Sequence, residues 1–270
     1  DEPETVVIPV LPQTIDDLMI VLVNDKDQTY TITSEAIADG VKTIQPNKAS
    51  IHSIDLKDVV FKNEYMVVDE ASFISAMAKI YANGSASDVN TIQLLNDVRL
   101  ENVNAENYGD LNYIGNFQTL FFNKDINIIS DFDATLTIAE GQYINIKSDN
   151  NDAKLDIDVD VIIEGMGCCG SEVGKLAIGG KVGKIVQVDM ENVVNHGALL
   201  LGNVQGNESG AEINITTLEN KFDEYAVSKQ KTTDAACLFL LGGTATDVTI
   251  GTLNNNGTIL SKAITLDVSL

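Results

Sequence analysis

Three carboxylates recur at every second position within residues 154–161, namely Asp156, Asp158 and Asp160. Apolar residues fill the alternate positions, so the period of two predicts a β-strand with all three carboxylates on one face. Successive carboxylates would lie about 7 Å apart, too far for one strand to enclose a calcium ion, which takes about six to eight oxygen ligands. A neighbouring strand would have to supply further ligands, and Asp131 and Asp133 are the obvious suppliers. The pattern fits either a calcium site or a solvated acidic face.

An aromatic cluster lies in a polar segment before this stretch. Tyr108, Tyr113 and Phe117 are surrounded by asparagine, glycine and aspartate. Aromatic side chains in a polar loop are typical of a binding patch. They are more often found in a loop that is anchored to the core by its aromatic residues. The chain has no tryptophan, so few other positions could stack against a sugar ring.

No arrangement of nucleophile, base or zinc ligands points to a catalytic site. His52 and His196 are isolated, and Cys168–Cys169 has no partner pair at the spacing of a zinc site. No glycine-rich loop with a terminal lysine leads from a strand to a helix, so nothing indicates a nucleotide. We assign no catalytic residue and expect Cys168, Cys169 and Cys237 to be thiols that serve as small core or turn residues.

The charge excludes one class of partner. Asp and Glu number 40 against 17 Lys and Arg, and the formal net charge is −23. Because such a field repels phosphates, we expect no nucleic acid partner. No apolar run reaches the roughly 18 residues that a membrane span needs, so we also expect no transmembrane segment.

The elements that must position these side chains are short strands. A triplet of two aliphatic residues around a spacer recurs through the second half of the chain, bounded by Gly, Asn or Asp. The triplets occupy residues 126–128, 136–138, 144–146, 155–157, 176–178, 213–215, 238–240 and 248–250. Short strands with turns between them predict a solenoid that coils around one core. Where the spacer is Asn127, Asn145 or Asn214, stacking of asparagines in a ladder is conceivable but depends on the strand register.

The region before the triplets differs. Residues 6–11, 18–23, 30–33 and 59–61 resemble strands, so we predict a small antiparallel, sandwich-like β domain over residues 1–66 with a flexible acidic N-terminus. Asp69 then predicts a helix start, with Phe73, Met77 and Ile80 on one face. We expect this helix to cap a parallel β-helix, and the helix and the β-helix together to span residues 67–270.

This order of cap helix and triplets resembles the parallel β-helix superfamily that includes the pectate lyases. With a small β domain in front, it is also similar to adhesins and surface lipoproteins of gut anaerobic bacteria. The resemblance implies an all-β chain with a right-handed parallel β-helix. The Asn-Thr-Asp and Gly-His-Gly motifs of the β-helix hydrolases are missing, since Asn195–His196–Gly197 begins with Asn.

The function expected from these features is non-catalytic: an adhesin-like, cell-surface or secreted binding or structural protein. Its partner would be a surface glycan or protein of unknown identity. The chain begins Asp1–Glu2–Pro3–Glu4, which suggests an exported protein whose signal has been removed and whose removed N-terminus could have carried a lipid anchor. The alternative is a polysaccharide lyase or glycoside hydrolase of the β-helix type, supported by fold analogy alone.

Overall fold

The chain divides into two compact units, Asp1–Lys62 and Asn63–Leu270. A computed structural model describes residues 13–14, 19–25, 28–33, 43–44, 59–103, 118–165, 173–179, 186–202, 211–221, 237–241, 246–262 and 265–268. The described residues are mostly β, with a single helix, α1 (Glu70–Asn83). Two short strand pairs are antiparallel and all other strand pairs are parallel. The strands are β1 Gln13–Thr14, β2 Met19–Val23, β3 Thr29–Thr33, β4 Thr43–Ile44, β5 Glu64–Val67, β6 Asn90–Leu94, β7 Val98–Leu100, β8 Gln118–Phe122, β9 Ile126–Ile129, β10 Leu136–Ile138, β11 Tyr143–Ser148, β12 Lys154–Ile157, β13 Val161–Ile163, β14 Lys175–Ile178, β15 Val186–Asn195, β16 Ala198–Gly202, β17 Ala211–Asn220, β18 Cys237–Leu241, β19 Thr246–Asn255, β20 Thr258–Lys262 and β21 Thr265–Val268.

The first unit contains the antiparallel pairs β1–β4 and β2–β3. Beside the β2–β3 pair, the Asn24 amide donates to the Gln28 carbonyl at 3.0 Å. The predicted strand over residues 59–61 is wrong: this segment is irregular, and Val60 is among the most exposed apolar residues. The next strand, β5, pairs with β6 of the second unit, although the sequence analysis assigned most of β5 to the first.

Helix α1 begins where the sequence predicts. Asp69 is the N-cap, and its carboxylate accepts a 2.8 Å hydrogen bond from the Ser72 amide. Phe73, Met77 and Ile80 are buried on one face, and α1 contacts β5, β6, β7 and β8. Among the described residues, no helix is long and apolar enough to cross a membrane.

The strands of the second unit form three series of parallel-paired strands, which we call paths. Each time the chain returns to a path, it adds one more strand to it. The chain passes from β9 to β10 to β11 and then back beside β9 as β12. The long path has the order β5, β6, β9, β12, β15, β17, β19, β21. The second path is β8, β11, β14, β16, β18, β20. The third is β7, β10, β13 and the C-terminal halves of β15, β17 and β19.

The aliphatic positions of the triplets form one core between these paths. All eight triplets lie in strands, and both aliphatic residues of each are buried. The core is closely filled: an apolar cavity of about 10 Å³ lies among residues such as Phe73, Leu100 and Leu155. The predicted all-β class is thus confirmed at the level of a mostly β chain with parallel sheets.

Candidate functional site

A column of short polar side chains crosses the long path on the side away from the core. The strand register places one such residue on each of six successive strands, spaced about 4.8 Å apart. We call this set the polar column; it consists of Thr91, Asn127, Asp156, Asp189, Asn214 and Thr249. These side chains are half-buried or exposed, so the column presents hydrogen-bonding groups to solvent.

Lys154 joins two strands of the column. Its Nζ lies 2.9 Å from Asp156 Oδ1 and 2.5 Å from Asp189 Oδ2. The hydrogen bond to Asp189, and next that to Asp156, raise the pKa of Lys154 well above its usual value. Since like charges directly opposite on neighbouring strands repel, this cation is what allows Asp156 and Asp189 to lie side by side.

Asp189 is held from its other side as well. Asn214 Nδ2 donates a 2.7 Å hydrogen bond to Asp189 Oδ1, while Lys154 binds Oδ2. Both carboxylate oxygens therefore have fixed partners. A carboxylate held in this way is engaged with neighbouring side chains of the protein and is not directed at a substrate.

The predicted row of three aspartates is divided between one strand, β12, and the turn that follows it. Strand β12 ends at Ile157 and β13 begins at Val161, so only Asp156 lies in the polar column. Asp158 and Asp160 lie in the turn, where Asp160 accepts a 3.0 Å hydrogen bond from Asn192. The alternation of buried and outward residues continues through this turn, which is why the sequence suggested one continuous strand.

The predicted suppliers, Asp131 and Asp133, lie in the turn between β9 and β10. That turn neighbours the Asp158–Asp160 turn, because β9 pairs with β12 and β10 pairs with β13. All four aspartates are exposed, and Asp133 has a positive φ of 54°. Within the described residues, no three His, Cys, Asp or Glu side chains are grouped so that they could hold a metal ion. Calcium therefore stays a prediction.

The only arginine is also paired. Arg99, in β7, forms ion pairs with Glu164 and, at 3.0 Å, with Glu101. The hydrogen bond with Glu164 is the main reason that the pKa of Arg99 is raised. Neither Arg99 nor Lys154 is therefore available as a neutral base.

A ladder of asparagines lies where the third path meets the following turn, and the sequence analysis missed it. Asn195 Nδ2 donates to Asn220 Oδ1 at 2.8 Å, and Asn220 Nδ2 donates to Asn255 Oδ1 at 2.7 Å. Asn195 and Asn220 are fully buried. By contrast, Asn127, Asn145 and Asn214 each pair with residues other than asparagine.

The outer side of the second path is partly buried. Thr119, Asn145 and Ala177 are aligned there and almost inaccessible to solvent. Within the described part of the chain, neither amide atom of Asn145 has a hydrogen-bond partner. Nearby, Lys175 Nζ lies 4.0 Å from the centroid of the Tyr143 ring. That ring face already contacts a cation, so it offers a sugar less stacking surface.

Several other residues named in the sequence analysis are not among the residues that the structure describes. Tyr108, Tyr113 and Phe117 lie outside the described residues, so the predicted aromatic patch stays a prediction; His52, Cys168 and Cys169 lie outside them too. His196 follows β15, and its amide donates to the Ile163 carbonyl at 2.8 Å. Cys237 is fully buried in β18.

No family model, no curated protein and no solved structure matches this chain. The functional argument therefore depends on the geometry of the chain itself. The features that bear on function are the polar column, Lys154 beside it, and the two neighbouring acidic turns, residues 130–135 and 158–160.

Proposed function

We propose that the second unit is a right-handed parallel β-helix and that the protein is a non-catalytic, adhesin-like binding or structural protein. The support for the β-helix is the return of the chain to the same three paths, always with parallel pairing. Right-handedness follows from the strong preference of crossover connections between parallel strands, right-handed in about 98% of cases. This is the architecture implied by the resemblance to the pectate-lyase superfamily.

The observation that best supports this function is that the carboxylates of the polar column are already bound by other side chains. Its two carboxylates already have partners: Lys154, two residues before Asp156 in the same strand, neutralises Asp156 and Asp189, and Asn214 binds Asp189. What remains is an extended face of half-exposed hydrogen-bonding groups. Such a face suits an extended partner that contacts several strands at once, which is how adhesins bind a glycan chain or a protein surface.

The alternative, a polysaccharide lyase or glycoside hydrolase, has one observation in its favour. Asp156 and Asp189 are direct neighbours in register, so their carboxylates come about as close as the pair in a retaining glycosidase, roughly 5 Å. Hydrolysis also requires two carboxyl groups that can reach the glycosidic bond, whereas both of these carboxylates are bound to Lys154 and Asp189 is bound to Asn214 as well. Elimination by a lyase requires a neutral base, and the raised pKa keeps Lys154 protonated. The binding function is therefore favoured.

The partner that we propose for the polar column is a surface glycan or a protein, without a requirement for aromatic stacking. The proposed location is the cell surface or the extracellular space, with a lipid anchor as one means of attachment. Protease treatment of intact cells that make the protein tests the location. Degradation of the protein while a cytoplasmic marker survives is expected, and protection of both would contradict it.

Two variants test the binding face. In the first, Asn127→Ala and Asn214→Ala shorten the polar column; in the matched control, Thr252→Ala and Asn254→Ala change exposed residues outside it. Against a panel of immobilised polysaccharides and matrix proteins, we expect the native chain to bind without releasing reducing ends or unsaturated products. The column variant should lose about tenfold in affinity, or about 1.4 kcal/mol, and the control should not.

Two results would overturn the proposal. Release of sugar products by the native chain, abolished by Asp156→Asn, would establish the enzyme instead. Equal loss of binding in both variants would exclude the polar column as the contact surface.

Calcium at the two acidic turns is tested separately. A bound ion that prefers the folded state raises the unfolding midpoint. The thermal midpoint is measured in millimolar calcium chloride and in sodium chloride of equal ionic strength. A larger rise with calcium, lost in Asp131→Asn/Asp158→Asn, would support the site; equal midpoints would remove it.

A further inference from the structure

A second pair of facing carboxylates lies on the outward side of the long path. The register of β17 and β19 places Glu212 directly opposite Asp247, and both side chains are exposed. Within the described residues, neither carboxylate takes part in an ion pair or a side-chain hydrogen bond. Like charges directly opposite on neighbouring strands repel each other, so a cation placed between these two carboxylates is attracted by both.

The same sheet face shows how such a pair is neutralised. Asp156 and Asp189 also lie opposite each other, and Lys154 lies two residues before Asp156 in the same strand. The Lys154 Nζ contacts both carboxylates, at 2.9 Å and 2.5 Å. The corresponding position beside the second pair, two residues after Asp247, is occupied by the uncharged Thr249. Among the described residues, the chain therefore supplies a cation for the first pair and none for the second.

The chemistry of this face favours one class of partner. No outward side chain in the described strands of the long path is aromatic, so a sugar ring finds no stacking surface there. A net charge of −23 repels acidic glycans and further copies of this chain, and it attracts basic proteins. Lysine and arginine side chains form charge-assisted hydrogen bonds with carboxylates. Charge complementarity therefore favours a basic protein over a glycan.

We propose that the partner is a protein with a basic contact surface, and that one of its lysine or arginine side chains binds between Glu212 and Asp247. This inference rests on the proposed function, because it names the partner class of the same sheet face. It places the contact on β17 and β19, beside Asn214 and Thr249 of the polar column. The partner's cation is held by two carboxylates, as Lys154 is within the chain.

The first experiment measures binding of a defined probe, a short peptide in which lysine alternates with serine, by fluorescence anisotropy at about 0.1 M salt. Glu212→Gln/Asp247→Asn removes the carboxylate pair. The matched control, Glu140→Gln/Asp152→Asn, removes the same two charges at exposed turn positions outside this face. We expect the pair variant to lose about tenfold in affinity and the control to stay within about twofold of the native chain. Because both variants have the same net charge, a general attraction between lysine and an acidic protein would weaken their binding equally.

A second variant supplies the cation from the chain itself. Thr249→Lys places a lysine two residues after Asp247 on the same face, and Thr252→Lys makes the same change at another exposed position of β19. We expect Thr249→Lys to bind the carboxylate pair internally, because the new amine lies beside both carboxylates. It should therefore bind the peptide more weakly than Thr252→Lys and unfold at a higher temperature. Thermal melts of all variants also verify that they fold.

Three results would overturn this inference: no binding of the peptide by the native chain, equal loss of affinity in the pair variant and its control, or equal affinity of Thr249→Lys and Thr252→Lys. None of them decides the proposed function, which is judged by the binding of the native chain to the panel of polysaccharides and matrix proteins. Binding to a glycan of that panel without binding to the peptide would show that the binding function is correct and the basic partner is wrong.

Discussion

Asn145 has an unusual position for an amide side chain. It lies at an outward position of β11 but is fully buried, beside Thr119 and Ala177. A buried amide without a partner costs about 1–3 kcal/mol, because it has lost its hydrogen bonds to water. An apolar residue of similar volume would remove this cost.

We therefore expect Asn145→Val to raise the free energy of unfolding by about 1 kcal/mol in urea denaturation. The matched control is Asn127→Val, at the corresponding triplet position on the long path, where the side chain is half-buried and water can reach it. The control should change stability by less than about 0.5 kcal/mol. Destabilisation by Asn145→Val would show that the amide has a partner after all.

Lys154, which lies beside the polar column, supports a second prediction. Lys154→Met leaves Asp156 and Asp189 facing each other without a cation, so we expect a loss of about 0.5–1 kcal/mol at neutral pH and low salt. Because the folded-state pKa of Lys154 is raised, its contribution is complete at neutral pH and is lost only as the pH rises through the strongly alkaline range.

Two comparisons check this cause. Adding Asp189→Asn to Lys154→Met should restore most of the loss, because the repulsion disappears. Lys221→Met, which breaks a single exposed pair with Glu219, should cost less. If the double variant is as unstable as Lys154→Met, repulsion between the carboxylates is not the cause.

For the secondary structure, the triplets predicted the strands correctly, but they did not predict which residues pair across neighbouring strands. Two large aliphatic residues at positions i and i+2 must both face the core, and this requires an extended chain. The asparagine ladder could not be predicted, because its members are separated by 25 and 35 residues. These separations differ because the connections between strands differ in length. For the same reason, the sequence pointed to Asn127, Asp156 and Asn214 separately and did not show that they lie in one column.

The ladder supports a prediction for the middle residue. Asn220→Ala removes an acceptor for Asn195 and a donor for Asn255, which leaves the buried Asn195 amide with one fewer hydrogen bond. We expect a loss of about 1–3 kcal/mol in urea denaturation. Asn214→Ala, an exposed asparagine in the same strand, should cost clearly less. Equal losses would mean that the ladder adds no specific stability.

The cap of α1 supports a pH-dependent prediction. Asp69→Ala should cost about 1 kcal/mol near neutral pH, because the N-cap acceptor for Ser72 is lost. The hydrogen bonds from the Ser72 side chain and amide lower the pKa of Asp69. The native chain therefore has this stability above about pH 4 and loses it as the pH falls through the lowered pKa.

The measurement is urea denaturation of native and variant chains between neutral and acidic pH. The difference between native and Asp69→Ala should shrink as the pH falls, whereas Asp69→Asn should keep a cap that does not titrate. Asp247→Ala, at an exposed strand position, is the control. A difference that stays constant with pH would show that the charge of Asp69 contributes nothing to the cap.

For the molecule as a whole, composition alone gives the net negative charge, whereas it does not locate a functional site. A net charge of −23 means that the folded chain repels itself. Salt screens this repulsion over a distance of about 10 Å at 0.1 M. We expect the thermal midpoint to rise by a few degrees between low salt and about 0.5 M salt, equally with sodium and potassium chloride. A fall would show that ion pairs such as those of Lys154 outweigh the overall repulsion.

The asparagine ladder also bears on how the chain selects one alignment of its strands during folding. Strands β15, β17 and β19 are each ten residues long, and in each the alternation of inward and outward side chains is interrupted once by two successive outward residues, at 191–192, 216–217 and 251–252. A shift of one residue would turn the apolar residues outward, whereas a shift of two would keep the apolar face of the N-terminal half and displace only this interruption. Asn195, Asn220 and Asn255 lie opposite one another only in the native alignment. A two-residue shift would leave buried amides facing apolar neighbours, which costs free energy because the amides lose their hydrogen bonds. The ladder therefore disfavours misaligned folding intermediates relative to the native alignment.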